Sequence, residues 1–397
     1  MACYRLRNPV QKYAWGSPRV LPELLGTANP GGEPWAELWI GAHARAPSSV
    51  EVGGAWRSLR DFVEREPARV LGAGVVARFG AQLPYLLKVL AVERPLSLQT
   101  HPDAARAALG WARESAAGIP LEAAERSYPD ANPKPELVCA LGAFEALCSF
   151  RPLEEARACA EALGARRLAA ALADAARPGD ALARLLALPA PERAALAAEL
   201  AERAEAAAGC DAALRWVAEL HAAYPGDVAV AAPLLLHHVE LDAGEALDLA
   251  AGDLHAYLRG TALEVMASSD NVLRAGLTTK PIAVDELLAV MRPDAAPPPR
   301  RRAARGAPGE LVYAPGHEWF RLALLDADGT APLEVEAAYG VELLLCLDGE
   351  GEVVAADAPG APLRVRRGEA LLVAGETPRY ALRGRVRLAR ATAGLAS

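Results

Sequence analysis

Gln99 and His101 stand two residues apart in PLSLQTHPD, soon after an apolar run from Leu83 to Val92. On a β-strand, side chains two apart share a face. An amide oxygen and an imidazole pointing the same way from a buried strand are half of a metal site. Glu136, in NPKPELVCAL, and His255, in AGDLHAYLRG, supply a carboxylate and a second imidazole. Two His, one Glu and one Gln oxygen suit a zinc-like divalent ion with a position left open for water or substrate. His101, Glu136 and His255 alone also make the two-His-one-carboxylate set of an iron oxygenase, so residue type leaves that chemistry open. His43, after AELWIGA, is a further candidate ligand or proton carrier.

Such a site needs strands behind it. Residues 1–150 read as short strands broken by Pro and Gly, with polar turns such as NPGGEP. From 151 to 225 the composition turns to Ala, Leu, Glu and Arg at helical spacing, broken at RPGD and LPAPE, which predicts an all-helical insertion of three or four helices. Strand-like sequence returns at Asp227 and carries His255 within 226–292. A Pro-rich, basic stretch, 293–310, reads as a solvated linker, and 311–397 as a last β unit. GEALDLAAGDLHAYLRG (244–260) aligns without gaps on GEALLVAGETPRYALRG (368–384), identical at eight of seventeen positions and with Arg379 opposite His255. The predicted fold class is therefore mainly β with a helical insertion: two related barrels of the cupin or jelly-roll kind, the second lacking the ligand.

At 397 residues the chain has room for two or three domains. A net charge of −8 argues against nucleic-acid or membrane-surface binding, which want clustered positive charge. No apolar run is long enough to span a bilayer, and MACYRLRNPVQKYAWG lacks a signal peptide's apolar core, so the cytoplasm is the default expectation. Cys3, Cys139, Cys148, Cys159, Cys210 and Cys346 form no C-x-x-C pair and read as reduced, mostly buried thiols. Cys139 could offer the site a thiolate, but its apolar surroundings favour packing. Trp15, Trp35 and Trp39 offer flat faces to a sugar ring or to the core. His221, His237 and His238 read as structural.

YAWGS (13–17), AELWIGAHARAPS (36–48), LLKVLAVERPLSLQTHPD (86–103), YPDANPKPELVCAL (128–141), FEALCSFRP (144–152), the 244–260 stretch and EVMASSDNVLRAGLTTKPI (264–282) follow one another in a recognisable order. With them the chain resembles the type I mannose-6-phosphate (phosphomannose) isomerases almost end to end. The resemblance implies a catalytic cupin interrupted by the helical insertion, then a metal-free C-terminal cupin. It places one Zn2+ per chain on Gln99, His101, Glu136 and His255. It implies an enzyme that interconverts mannose 6-phosphate and fructose 6-phosphate, feeding mannose metabolism and GDP-mannose synthesis, and a monomer is the expected state. Pro133 stands where the family usually has His, and Ala250 and Thr279 where it has Pro. These departures bear on loop shape, since none is a ligand or charged site residue.

Aldose–ketose interconversion moves one proton between C1 and C2 and another between their oxygens, through an enediol(ate) that a metal stabilises by polarising the carbonyl. Glu264, Asp270 and Arg274 follow closely after His255 and can return to the same barrel mouth. Arg274, always charged and presenting a planar fork, is expected to stabilise the oxyanion, and the resemblance places it on the family's catalytic Arg. Glu264 ranks first as base, ahead of Lys134 and His43, because burial near a metal tunes a carboxylate. Ser97 and Lys280 match the family's phosphate-binding positions. Without the resemblance Ser97 is a packing residue and Lys280 a surface charge. An isomerase of another phosphorylated aldose and a non-catalytic sugar-binding cupin remain the alternatives.

Overall fold

Every residue of the strand Tyr85–Val92 is buried, and the reason sets the architecture. Leu90 and Val92 join Val138, Phe144 and Tyr257 inside one barrel. Tyr85, Leu87 and Val89 point the other way, onto Leu322, Leu324, Leu343 and Leu345 of a second sheet. A strand with a core on each side must be apolar at both parities, which explains YLLKVLAV and leaves Lys88 as its one charge. This computed structural model describes residues 3–207, 212–356 and 361–395. Cys210 lies outside them.

The first sheet runs Arg300–Arg302, Glu245–Leu249, Glu136–Phe150, His255–Ala267, Tyr85–Val92, Glu37–Ile40 and Val10–Gln11. Leu98–Thr100 pairs with the start of the His255 strand and with Leu273–Gly276. The second sheet is built mainly from the C-terminal part, around Glu342–Ala355 paired to Arg379–Thr392. Antiparallel pairing of these strands and two related barrels agree with the expected fold class. Among the described residues no helix is long and apolar enough to cross a membrane.

Several details differ from the expectation. The strand Cys3–Arg7 and the hairpin Ser49–Ser58 join the second sheet, with Cys3 opposite Val373 and Leu6 opposite Val50. An exposed strand edge invites association, and the N-terminal strand covers that of Ala370–Val373. Residues 1–150 also hold helices, among them Val20–Leu25, Leu59–Arg65, Pro67–Leu71 and Ala73–Phe79. These four are too short for a 3.6-residue period to register, whereas Ala104–Ala116, 13 residues long, is a full helix where short strands were expected. The run after Asp227 forms a 3-10 turn, Val228–Ala231, and a helical turn, Ala232–Leu235, before its strand begins at Leu236; a short apolar run looks the same as strand or buried helix. Finally, the 293–310 stretch carries the strands Arg300–Arg302 and Ala304–Arg305, and Arg301 ion-pairs with Asp248 at 2.7 Å. Part of the expected loop is therefore strand, although its arginines are solvent-exposed as expected.

The insertion contains Leu153–Ala162, Arg166–Ala173, Pro178–Ala187, Ala190–Ala206 and Ala212–Ala223, one helix more than expected because Gly164, at φ 63°, breaks the first in two. The repeat is visible in the ladders. Leu249 faces Glu136 and its repeat equivalent Val373 faces Glu342, so Glu342 holds the place of Glu136 in the second barrel. There Arg390 Nε donates to it at 2.9 Å and the Tyr380 hydroxyl at 2.8 Å.

Candidate metal centre and active site

Two backbone carbonyls decide which imidazole nitrogens face the barrel. His101 Nδ1 lies 2.7 Å from the Asn271 carbonyl and His255 Nδ1 3.0 Å from that of Asp253. A carbonyl only accepts, so both rings carry hydrogen on Nδ1 and turn an unprotonated Nε2 inward. Those nitrogens lie 3.2 and 3.4 Å from Glu136 Oε2. All three side chains are buried, and neither Glu136 Oε2 nor His255 Nε2 has a hydrogen-bond partner. Acceptors facing one another with no proton between them are costly unless a cation joins them. One ligand atom from each lies within 4.8 Å of the others, so the residues fit a zinc ion whose ligands are held by outer hydrogen bonds.

Charge follows the same logic. Burial raises the Glu136 pKa, but neighbouring positive charge, with the Lys134 ammonium hydrogen-bonded to Oε1, overcomes it and holds the carboxyl well below its ordinary range. Burial brings His101 down to about 4, leaving it neutral and ready to ligate. Gln99 stands opposite His255 on one side and Arg274 on the other. Cross-strand partners share a face at roughly 5 Å between Cβ atoms, so His255, Gln99 and Arg274 form one row. Ser97 Oγ donates to Gln99 Oε1 at 3.2 Å.

Arg274 has no ion-pair partner among the described residues, and burial lowers its pKa. Lys280 is also lowered, first by Arg274, then by burial and by Arg45. Three cations crowd this mouth in a chain of net charge −8, which makes it a local anion trap. On its rim His43 Nε2 lies 3.5 Å from one oxygen of Asp270, and Arg45 3.2 Å from the other. The Arg45 amide donates to His43 Nδ1 at 3.3 Å, so His43 carries its hydrogen on Nε2, toward Asp270.

Deeper in, Glu264 shares the Glu136 face: it pairs with Val138, two residues along. Its oxygens meet Lys88 Nζ at 2.9 Å and the Tyr257 hydroxyl at 3.1 Å. Burial is the first cause of its raised pKa. Lys88 also lies 3.7 Å from Glu37; burial opposes its charge, and Glu264 and Glu37 overcome that and hold it above its ordinary value. The sequence reading passed over Lys88, Glu37 and Tyr257. The available signal was a lone charge inside YLLKVLAV, since a buried ammonium persists only with partners.

Trp15 is half-buried, stacks on Tyr13 at 5.9 Å and packs on the barrel's interior cluster. Trp39 meets His43 edge-on at 4.9 Å. Cys139 packs between the sheets, away from the donors. His238 lies 3.0 Å from Glu145, and with Glu240 these form a second His–carboxylate group; Glu145 is already engaged there by Arg215 and Trp216.

Two antiparallel barrels, one lined by an inward imidazole–carboxylate donor set, define a two-cupin protein with one metal-ready barrel. Residues 3–153 match the family model "Phosphomannose isomerase type I, catalytic domain". Mannose-6-phosphate isomerase of Escherichia coli (strain K12) is 39% identical, the alignment covering 97% of this chain and 98% of that one. Mannose-6-phosphate isomerase 1 of Arabidopsis thaliana is 33% identical over 94% of this chain and 89% of its own. The Salmonella typhimurium mannose 6-phosphate isomerase, solved with bound substrate and zinc, superposes with a TM-score of 0.91, at 36% identity and with 100% of both chains covered. The chain belongs to the type I phosphomannose isomerase family.

Proposed function

We propose that this chain interconverts mannose 6-phosphate and fructose 6-phosphate with one zinc ion held by Gln99, His101, Glu136 and His255. The observation that carries the reading is the row His255–Gln99–Arg274, which sets an uncompensated guanidinium beside inward-facing metal donors. Zinc, when bound, supplies a Lewis acid that polarises the substrate carbonyl. Arg274 offers its fork to the negative charge developing on the substrate oxygens. Ser97 and Lys280 receive the phosphate, whose charge relieves the repulsion between Lys280 and Arg274. Glu264 serves as the base: its raised pKa suits a group that takes a proton from one carbon and returns it to the next, while Lys88 and Tyr257 fix its orientation. Lys134 and the His43–Asp270 pair handle protons on the oxygens, and Trp15 borders the sugar. Because the two barrels cover each other's apolar faces within one chain, we take the enzyme to act as a monomer, and the free thiols of Cys3, Cys139, Cys148, Cys159 and Cys346 favour the cytoplasm.

The test is conversion of mannose 6-phosphate by purified protein as isolated, after chelation, and after zinc is restored. Activity lost to chelator and recovered with zinc is expected. Folded, zinc-replete protein without turnover would remove mannose 6-phosphate as the substrate and turn the search to other phosphorylated aldoses.

A further inference from the structure

Asp130, in the YPDANPKPE stretch, belongs to no donor set, yet it gathers the turn beside one. Its Oδ1 accepts from the Asn132 amide at 2.9 Å, from Ser269 Oγ at 2.9 Å and from Asn271 Nδ2 at 3.4 Å. Its Oδ2 accepts from the Asp270 amide at 2.7 Å. The Asn271 side chain adds bonds to the Asp130 and Asn132 carbonyls at 2.9 and 2.8 Å, and Ser269 Oγ accepts from the Asn271 amide at 3.2 Å. Ser269 and Asn271 are buried.

What this turn presents is directed two ways. The Asn271 carbonyl takes the Nδ1 hydrogen of His101 at 2.7 Å and so fixes the tautomer that aims Nε2 at Glu136. The Asp270 carboxylate, one residue earlier, meets His43 at 3.5 Å and Arg45 at 3.2 Å. A turn spelled SSDN has little apolar surface to hold it, and its amides would otherwise turn to water. We propose that Asp130 is a positioning residue: by fixing the Ser269–Asn271 turn it sets, at once, the orientation of His101 toward a metal ion and of Asp270 toward His43. The metal half stands on geometry; the kinetic half rests on the isomerase reading.

Asp130→Asn keeps the shape but sets an NH2 group against donors that now meet oxygen. Outer-shell partners of metal ligands are typically worth about 10–100-fold in metal affinity or activity. Zinc affinity, measured by competition with a chromophoric chelator, is expected to fall about 10-fold or more. The kcat for mannose 6-phosphate is expected to fall while KM holds within about twofold, since Ser97 and Lys280 lie on other segments. A folded Asp130→Asn protein with wild-type zinc affinity would overturn the proposal, even if its melting temperature were lower, because a merely structural role lowers stability and leaves affinity per folded molecule unchanged. If that variant does not fold, Ser269→Ala, which deletes a bond to Asp130 and those Oγ makes with the Asn271 amide and Asn132 carbonyl, is expected to weaken zinc by up to about 10-fold, and unchanged affinity there counts against the proposal equally. Weakened zinc binding alongside a wild type that does not turn over mannose 6-phosphate would leave the proposal standing and the isomerase reading refuted.

Discussion

Arg274 and Lys280 carry the same charge but separate in what they are placed to do. Arg274 shares a row with metal donors, and Lys280 sits beyond it at the exposed rim. Arg274→Ala is expected to lower kcat by about 10²–10³-fold with a small change in KM. Lys280→Ala is expected to raise KM about 10-fold with kcat nearly kept. Equal loss of kcat in both, at unchanged KM, would sink this division. His43 and His101 make a second prediction, for metal-stripped protein. Burial lowers each from 6.5 to about 4, so the folded state binds fewer protons than the unfolded chain between those values. Their contribution is complete above pH 6.5 and is lost as pH falls toward 4, on the order of 3 kcal/mol each. The melting temperature should therefore drop over that window, and His43→Gln should flatten the slope. At this scale the sequence made the inward donors legible, because His and Glu in apolar strands advertise themselves. Lys88, Asp130 and the carbonyls of Asn271 and Asp253 did not, since their roles depend on partners distant in the chain or on main-chain atoms that carry no residue type.

Equivalent elements in the two barrels solve one electrostatic problem differently. The strand beginning at Glu136 presents its acid to a donor set, whereas the strand beginning at Glu342 presents it to Arg390 and Tyr380. Burial raises the Glu342 pKa, against the pull of Arg390. Arg390→Met would leave that carboxylate buried and unpaired, and is expected to cost about 3–5 kcal/mol in urea unfolding. Adding Glu342→Leu should recover most of the loss, since a well-packed apolar pair often replaces a buried ion pair without penalty. The internal repeat announced the barrels' kinship and the loss of the ligand at Arg379. It could not announce Arg390, which lies past the repeat. Helices of the insertion were legible from composition, whereas the short helices near the N-terminus and the turn after Asp227 were not, because period cannot be read over one or two turns.

Across the whole molecule, the strand Tyr85–Val92 serves both cores at once, with the Tyr85 hydroxyl donating to the Val341 and Ala391 carbonyls of the second barrel at 2.8 and 3.0 Å. The metal-ready barrel is thereby fastened to its partner at the start of the strand that carries Lys88. Tyr85→Phe is expected to lower stability by about 1–2 kcal/mol while leaving zinc affinity unchanged, a pairing checked by urea unfolding and chelator competition. The strand Cys3–Arg7 has a different kind of consequence. Its ladder partner, Ala370–Val373, follows only after the metal-ready barrel and the helical insertion have been translated. A nascent chain can therefore pair that strand early only with the hairpin Ser49–Ser58, its other edge staying open while the whole of the first barrel is made, and the second barrel closes only once the first can already be complete.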